Sequence, residues 1–291
     1  MIYTNGMSVD HYENFPVASW LMPKHLRQPI THIYWFSRHA DDIADEGEHS
    51  DAWRLGQLQG YRNALAQIKK GALEFGAEDE RYAIFAPLQP VITAYQLPIT
   101  LFTDLLTAFE QDITIKRYQN HDELMQYCKH SANPVGRILL HLYNELSTDS
   151  VAMSDGICTA LQLANFWQDV AIDWQKDRVY IPLQQLQHYG LDESYIANRY
   201  ANRPTSATQD AQWQQLMQAQ VSYARELLHN GKPLAKRLPG RIGLELRMIL
   251  LGGLRILERL DQVHYNVFTA RPTLGKADWL LLGSRLLTTR F

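Results

Sequence analysis

The sequence predicts an all-α protein, a single domain of many helices packed around a central space. Three observations carry that expectation. Apolar residues recur at helical intervals, as in Trp53, Leu55, Leu58, Tyr61, Leu65 and Ile68. No segment sustains period-two alternation, and no hairpin dipeptide stands out. No obvious linker or internal repeat divides the 291 residues, although that length alone would also admit two modest domains.

Each element follows from local signals. Residues 1–23 read as an irregular arm with Pro16 and Pro23 as breakers. A helix then runs from Lys24 or Pro29 to Asp45 and ends in the Glu46-Gly47-Glu48 turn, and Ser50-Asp51 caps a second helix. Gly71 and Gly76 mark a loop before helices at about 79–94 and 98–113. The next begins near Asp122 and carries Tyr127 and Cys128. It is interrupted at Ser131-Ala132-Asn133-Pro134-Val135-Gly136, because proline removes an amide donor and clashes with the preceding turn. It continues through Arg137 to Tyr143. A long helix spans about 150–176, and Arg178-Val179-Tyr180-Ile181-Pro182 leaves it extended, since a residue before proline avoids helical geometry. Helices near 207–231, 240–264 and 275–288 complete the chain.

Composition narrows the function classes. A hydrophobic content of 46%, a charged content of 20% and a net charge of -3 describe an ordinary globular protein with no electrostatic case for nucleic acid. The 7 Trp, 15 Tyr and 9 Phe suit a deep apolar cavity, and a thick helical core equally well. Cys128 and Cys158 are too few for a disulfide framework or a zinc motif and read as small core residues. The histidines show no convincing ligand spacing. The N-terminal residues lack the pattern of a signal peptide, and no apolar run is long enough to span a bilayer. A cytoplasmic protein is expected, with peripheral membrane contact as the second expectation. Arg285 and Arg290 among Leu281, Leu282 and Leu287 suit such contact, but a terminal helix packed on its own domain explains them better.

Chemistry concentrates in two acidic stretches. Asn165, Asp169 and Asp173 follow one another at intervals of four, which confines them to an arc of roughly 80° on a helix. Acids so placed repel by a few tenths of a kcal/mol, and a cation such as Mg2+ between them would offset that. An ordinary wet helix face opposite Leu163, Phe166, Trp167, Val170 and Trp174 fits the same spacing. In the second stretch Tyr34, Arg38, Asp41, Asp42 and Asp45 share one face. Intrahelical Arg–Asp pairing at a solvated helix end is the plain alternative. Against it, these acids occupy the last turns, where they oppose the helix dipole. Facing one another across a bundle, the clusters would hold several Mg2+ ions, bind a diphosphate and stabilise its departure. Arg38, Arg178, Tyr127 and Tyr180 would bind the oxygens left free, and Lys116-Arg117 and Lys129 read as near that site or on the surface.

These residues carry a resemblance. Asp41-Asp42-Ile43-Ala44-Asp45, together with Gln162 through Asp173 and Arg178-Val179-Tyr180-Ile181-Pro182, resembles the squalene/phytoene synthase family in order and spacing from about residue 10 to 265. The resemblance implies an isoprenoid synthase bundle around a central apolar cavity. It further implies prenyl diphosphate substrates, Mg2+ (with Mn2+ as the alternative ion), and association with other squalene-pathway enzymes. It places Asp41, Asp42, Asp45, Asn165, Asp169 and Asp173 around metal, with Asp41, Asp45, Asp169 and Tyr127 as catalytic groups. Tyr34, Arg38, Asn165, Arg178 and Tyr180 fall at substrate-binding positions.

Departures from the family pattern sharpen the expectation. Gln168 stands where the family carries arginine. Ser131 through Gly136 replaces the usual Ala-Gly-x-Val-Gly, and His11 through Ser19 replaces a Ser/Phe-rich segment. These features are similar to the bacterial branch in which presqualene diphosphate is ionised and water captures the cation, giving hydroxysqualene. Gln168 is then the candidate to orient water, and Phe166, Trp167, Trp35 or Phe36 would shield the cation. The helical wheel sets Phe166 and Trp167 mostly off the carboxylate face, as core residues first. No Gly-x-Gly-x-x-Gly follows a strand, and no nicotinamide is expected. The alternatives are condensation of two prenyl diphosphates such as farnesyl diphosphate, and a catalytically silent helical assembly protein of the same fold.

Overall fold

The computed structural model describes residues 22–269, 271–289 and 291. Apart from Met22 and Pro23, the expected N-terminal arm lies outside the described residues, as does Arg290. Among the described residues every named element is a helix, and one isolated parallel bridge joins Arg117 to Val179.

Helix α1 (Lys24–Asp45) starts at the earlier of the two expected positions. Helix α2 (Asp51–Lys70) begins where Ser50 Oγ accepts from the Trp53 amide. It ends at Gly71, whose φ of 109° lets its amide turn back onto the Gln67 and Ile68 carbonyls. Helices α3 (Tyr82–Ala94) and α4 (Ile99–Thr114) close the first half. Phe36 of α1 binds this half together by edge-on contacts with Phe85 and Phe102, at centroid distances of 5.8 and 5.3 Å. Phe36 is therefore a core residue, not the cation shield expected of it.

The proline break appears where expected. Helix α5 (His121–Ser131) ends, and α6 (Asn133–Tyr143) restarts with Pro134 in its first turn, where a missing amide is tolerated. Helix α7 (Thr148–Gln175) runs through the middle of the bundle and packs on α5, α6 and later helices. Two short helices, α8 (Leu183–His188) and α9 (Glu193–Tyr200), follow. Both were unforeseen, because so few turns display no amphipathic period. Then come α10 (Ala207–Gly231), the single turn α11 (Leu234–Arg237) and α12 (Gly240–Gln262). Gly253 brings α12 onto α7 and α10, since a Cβ there would collide with Leu161 and Leu228.

The last helix, α13 (Lys276–Thr288), docks through one carboxylate. Asp278 is 1% exposed. It accepts from Arg255 Nε at 2.6 Å, Arg259 Nη2 at 2.8 Å and the Gly275 amide at 2.8 Å. Asp278→Ala would leave two guanidiniums without that partner, and a loss of about 3 kcal/mol is expected. Denaturant unfolding checks the loss, and hydrogen exchange should rise first in residues 276–288. Leu282 and Arg285 face inward, the latter paired with Glu258, while Leu280 and Leu287 stay exposed. No helix among the described residues is long and apolar enough to cross a membrane.

Candidate active site

The C-terminal ends of α1 and α7 meet, and backbone pairing explains why. After α4 the chain runs extended alongside the exit from α7. The Val179 amide donates to the Lys116 carbonyl at 2.9 Å, and the Leu183 amide to the Tyr118 carbonyl at 2.9 Å. This pairing sets Arg178 and Tyr180 against the end of α4. From there Arg178 reaches Asp45 on α1, and Lys176 Nζ lies 2.7 Å from Asp45 Oδ2. Arg178 Nη2 also donates to the Asp112 carbonyl at 3.1 Å.

Asp112, which the sequence reading missed, is the buried centre of this junction at 8% exposure. The Tyr127 and Tyr180 hydroxyls donate to its two carboxylate oxygens at 2.9 and 3.0 Å. Phe166 stacks on Tyr180 with centroids 3.7 Å apart. Tyr127 and Tyr180 thus serve the carboxylate beneath the site, and neither faces the cavity described below. Burial pushes Asp112 up to about 6, against the pull of Arg178 and both tyrosines.

The remaining acids surround that centre. Burial first, and then the charge of Asp45, raise Asp41 to about 7. Burial and Asp169 raise Asp173 to about 8. Burial opposes ionisation of Asp45 too, but its hydrogen bonds to Arg178 and Lys176 prevail and hold it at about 2. Asp112 adds repulsion on both Asp41 and Asp173, so the two expected clusters do share one electrostatic site. Arg38 lies 2.5 Å from Asp42 and 3.5 Å from Asp41. Lys116 Nζ donates to the Asp112 carbonyl at 2.6 Å, whereas Arg117 pairs outward with Glu193 and Asp177.

Asp169 holds Arg271, whose Nη2 donates to it at 3.0 Å. Its neighbour Gln168 corrects an expectation. Gln168 is 1% exposed, and its Nε2 donates to the Pro272 carbonyl at 2.5 Å. It is absent from the cavity lining and braces α7 against the C-terminal segment, a placement that gives the water-orienting role expected of it no support. A guanidinium does stand beside Asp169, delivered by Arg271 from a hundred residues downstream. No local signal could have revealed that.

Below the acids lies a cavity of about 450 Å3. Tyr34, Ser37, Arg38 and Asp41 of α1 give it a polar edge, Glu245 adds a carboxylate from α12, and its walls are mainly aliphatic, with Leu105, Leu139 and Ile249 among them. Along α7 the lining runs through Ser154, Cys158 and Leu161, and the same stripe reaches exposed Asn165 one turn later. Cys158 thus borders the cavity, while Cys128 is core. Trp35 and Phe36 are not among the lining residues, against the shielding role expected of them, and Phe166 and Trp167 are buried elsewhere as the core residues the helical wheel made them. The aromatic rings that do are Tyr34, Phe109 and Tyr143.

The donor set suits a divalent cation with an anion. Six carboxylates (Asp41, Asp42, Asp45, Asp112, Asp169 and Asp173) share the site with Arg38, Lys176, Arg178 and Arg271, and their mutual repulsion adds to the burial that raises Asp41 and Asp173. These are hard oxygen ligands of the kind Mg2+ takes. Buried Arg178 Nε has no hydrogen-bond acceptor among the described residues, as a guanidinium awaiting an anionic oxygen would. With the arginines drawn onto the carboxylates, no three acidic, histidine or cysteine side chains among the described residues converge tightly enough to hold a metal.

A helical bundle that sets two acidic helix ends over an apolar cavity has the architecture of an isoprenoid synthase. The family profile for squalene/phytoene synthase matches residues 9–278, and the chain belongs to that family. The hydroxysqualene synthase of Rhodopseudomonas palustris is 32% identical over 86% of this chain and 80% of its own length. That of Zymomonas mobilis is 35% identical over 66% of this chain and 62% of its own. Phytoene synthase 1 of Zea mays is 26% identical over 94% of this chain and 64% of its own. Among solved structures, squalene synthase HpnC from Alicyclobacillus acidocaldarius superposes with a TM-score of 0.77 at 32% identity, covering 88% of this chain and 90% of that one. A dehydrosqualene synthase at 21% identity shares the fold with a TM-score of 0.74, covering 92% and 88%.

Proposed function

We propose that this protein ionises presqualene diphosphate and lets water capture the rearranged cation, releasing hydroxysqualene and diphosphate. The observation that carries this reading is the cavity itself, which Asp41 and Arg38 line at a polar edge and whose walls are mainly aliphatic. A diphosphate ester with a long hydrocarbon body fits that division. Arg38, Arg178 and Tyr34 would bind phosphate oxygens and orient the scissile bond. The apolar walls would exclude bulk water, so that the cation outlives random quenching. Mg2+, with Mn2+ as the alternative, would neutralise charge on the leaving diphosphate. Asp41, Asp42 and Asp45 from α1, and Asn165, Asp169 and Asp173 from α7, would hold it. The named relatives support hydration over condensation: those called hydroxysqualene synthase are 32–35% identical, and the phytoene synthases 26–27%.

Head-to-head condensation of two farnesyl diphosphates is the second reading, favoured by the squalene synthase name of the superposed HpnC structure. Purified protein with Mg2+ should release diphosphate from presqualene diphosphate and form hydroxysqualene, and should leave farnesyl diphosphate untouched. Turnover of farnesyl diphosphate alone would reverse the choice. Contact with a membrane surface, where such substrates reside, and with other enzymes of the squalene pathway belong to the same proposal.

A further inference from the structure

Ser131 is the last residue of α5, about 6 Å along the helix from Tyr127. It lines the same cavity that Asp41 opens into. Its Oγ is buried and has no hydrogen-bond partner among the described residues. Several other helical hydroxyls turn back onto their own backbone. Thr31 donates to the Arg27 carbonyl at 2.8 Å, Thr107 to Thr103 at 2.9 Å and Thr114 to Glu110 at 3.0 Å. Ser154, also in the lining, is engaged with Cys158. Leaving a buried hydroxyl unsatisfied is costly, so an unpartnered one in an apolar wall suggests a ligand that satisfies it.

The break after α5 holds this hydroxyl in place. Asn133, the first residue of α6, accepts at Oδ1 from Thr159 Oγ1 of α7 at 3.0 Å, and both residues are buried. The turn that presents Ser131 is thereby pinned to the helix carrying Asn165, Asp169 and Asp173. Val135 and Leu139, farther along the same wall, offer no polar side-chain atom.

We propose that Ser131 is the positioning residue for the water that captures the cation, an inference that rests on the hydration reading above. In the reaction the carbon–oxygen bond to the diphosphate breaks, and its electron pair leaves on the diphosphate oxygen. A lone pair of water then forms the new carbon–oxygen bond, and the surplus proton of the resulting oxonium passes to the departing diphosphate. By accepting one O–H of the water, Ser131 Oγ turns a lone pair of that water toward the cavity.

The test is the product split of wild type, Ser131→Ala and Ser131→Thr given presqualene diphosphate and Mg2+, with diphosphate release and melting temperature recorded for each. The hydroxylated fraction should fall at least fivefold in Ser131→Ala, with hydrocarbons in its place, and recover in Ser131→Thr, which restores a hydroxyl. An unchanged split in Ser131→Ala overturns the inference while leaving the hydration reading intact. Loss of diphosphate release by Ser131→Ala at a wild-type melting temperature also overturns it, because the residue would then act in ionisation. Absence of hydroxylated product from the wild type itself removes the hydration reading and this inference with it.

Discussion

Asp169→Ala should lower diphosphate release about 10³-fold, the scale seen when one preorganised electrostatic group is removed from a site where charge develops. Asp169 is 18% exposed, contributes to the repulsion that raises Asp173, and pairs with Arg271. In the proposed site its loss would remove a metal donor, and it frees Arg271 from the only carboxylate it pairs with among the described residues. Arg271→Met separates these effects, since it frees Asp169 without removing an oxygen ligand and should be far milder. Release rates measured across a Mg2+ titration decide the matter. Full activity in Asp169→Ala would remove the metal role from α7.

The second large effect is on the framework. Arg178→Met should cost about 3 kcal/mol of stability, because one guanidinium joins Asp45 on α1 to the backbone of Asp112 on α4 from the exit of α7. The side chain is 11% exposed, so solvent cannot replace those contacts well. Asp45 would keep only Lys176, which is half exposed. Denaturant unfolding of the two proteins gives the difference, and a loss below about 0.5 kcal/mol, the level of a surface pair, would count against the clamp. KM for the diphosphate ester should rise as well, since the same guanidinium is a phosphate ligand in the proposed site.

Much of this was legible in the chain because it is local. Carboxylates at four-residue intervals declare a helix face, and Ser50, Gly71 and Pro134 punctuate their helices through their own backbone chemistry. What the sequence concealed is tertiary. Asp112 looks like any acid near a helix end until Tyr127 and Tyr180, from two other segments, close on it. Gln168 looked like a water-orienting group because it adjoins Asp169. One residue along a helix is a turn of about 100°, however, and that turn points it at Pro272 instead of the cavity. The expected aromatic shields failed for a related reason. Large rings at helical spacing were absorbed by the core, as with Phe36 and Trp167, and the cavity was left to aliphatic side chains.

The pairing of Arg38, Arg178, Lys176 and Arg271 with the site's own acids has a thermodynamic corollary. A divalent ion arriving alone must compete with four cations already in place, whereas a diphosphate offers those cations new partners as it enters. Each ligand therefore clears the way for the other, and by reciprocity whatever one gains in affinity the other gains equally. The proposed site would then ignore free metal and free anion at concentrations where it takes the two together. Its selectivity would then lie in the pair, with no single contact supplying it.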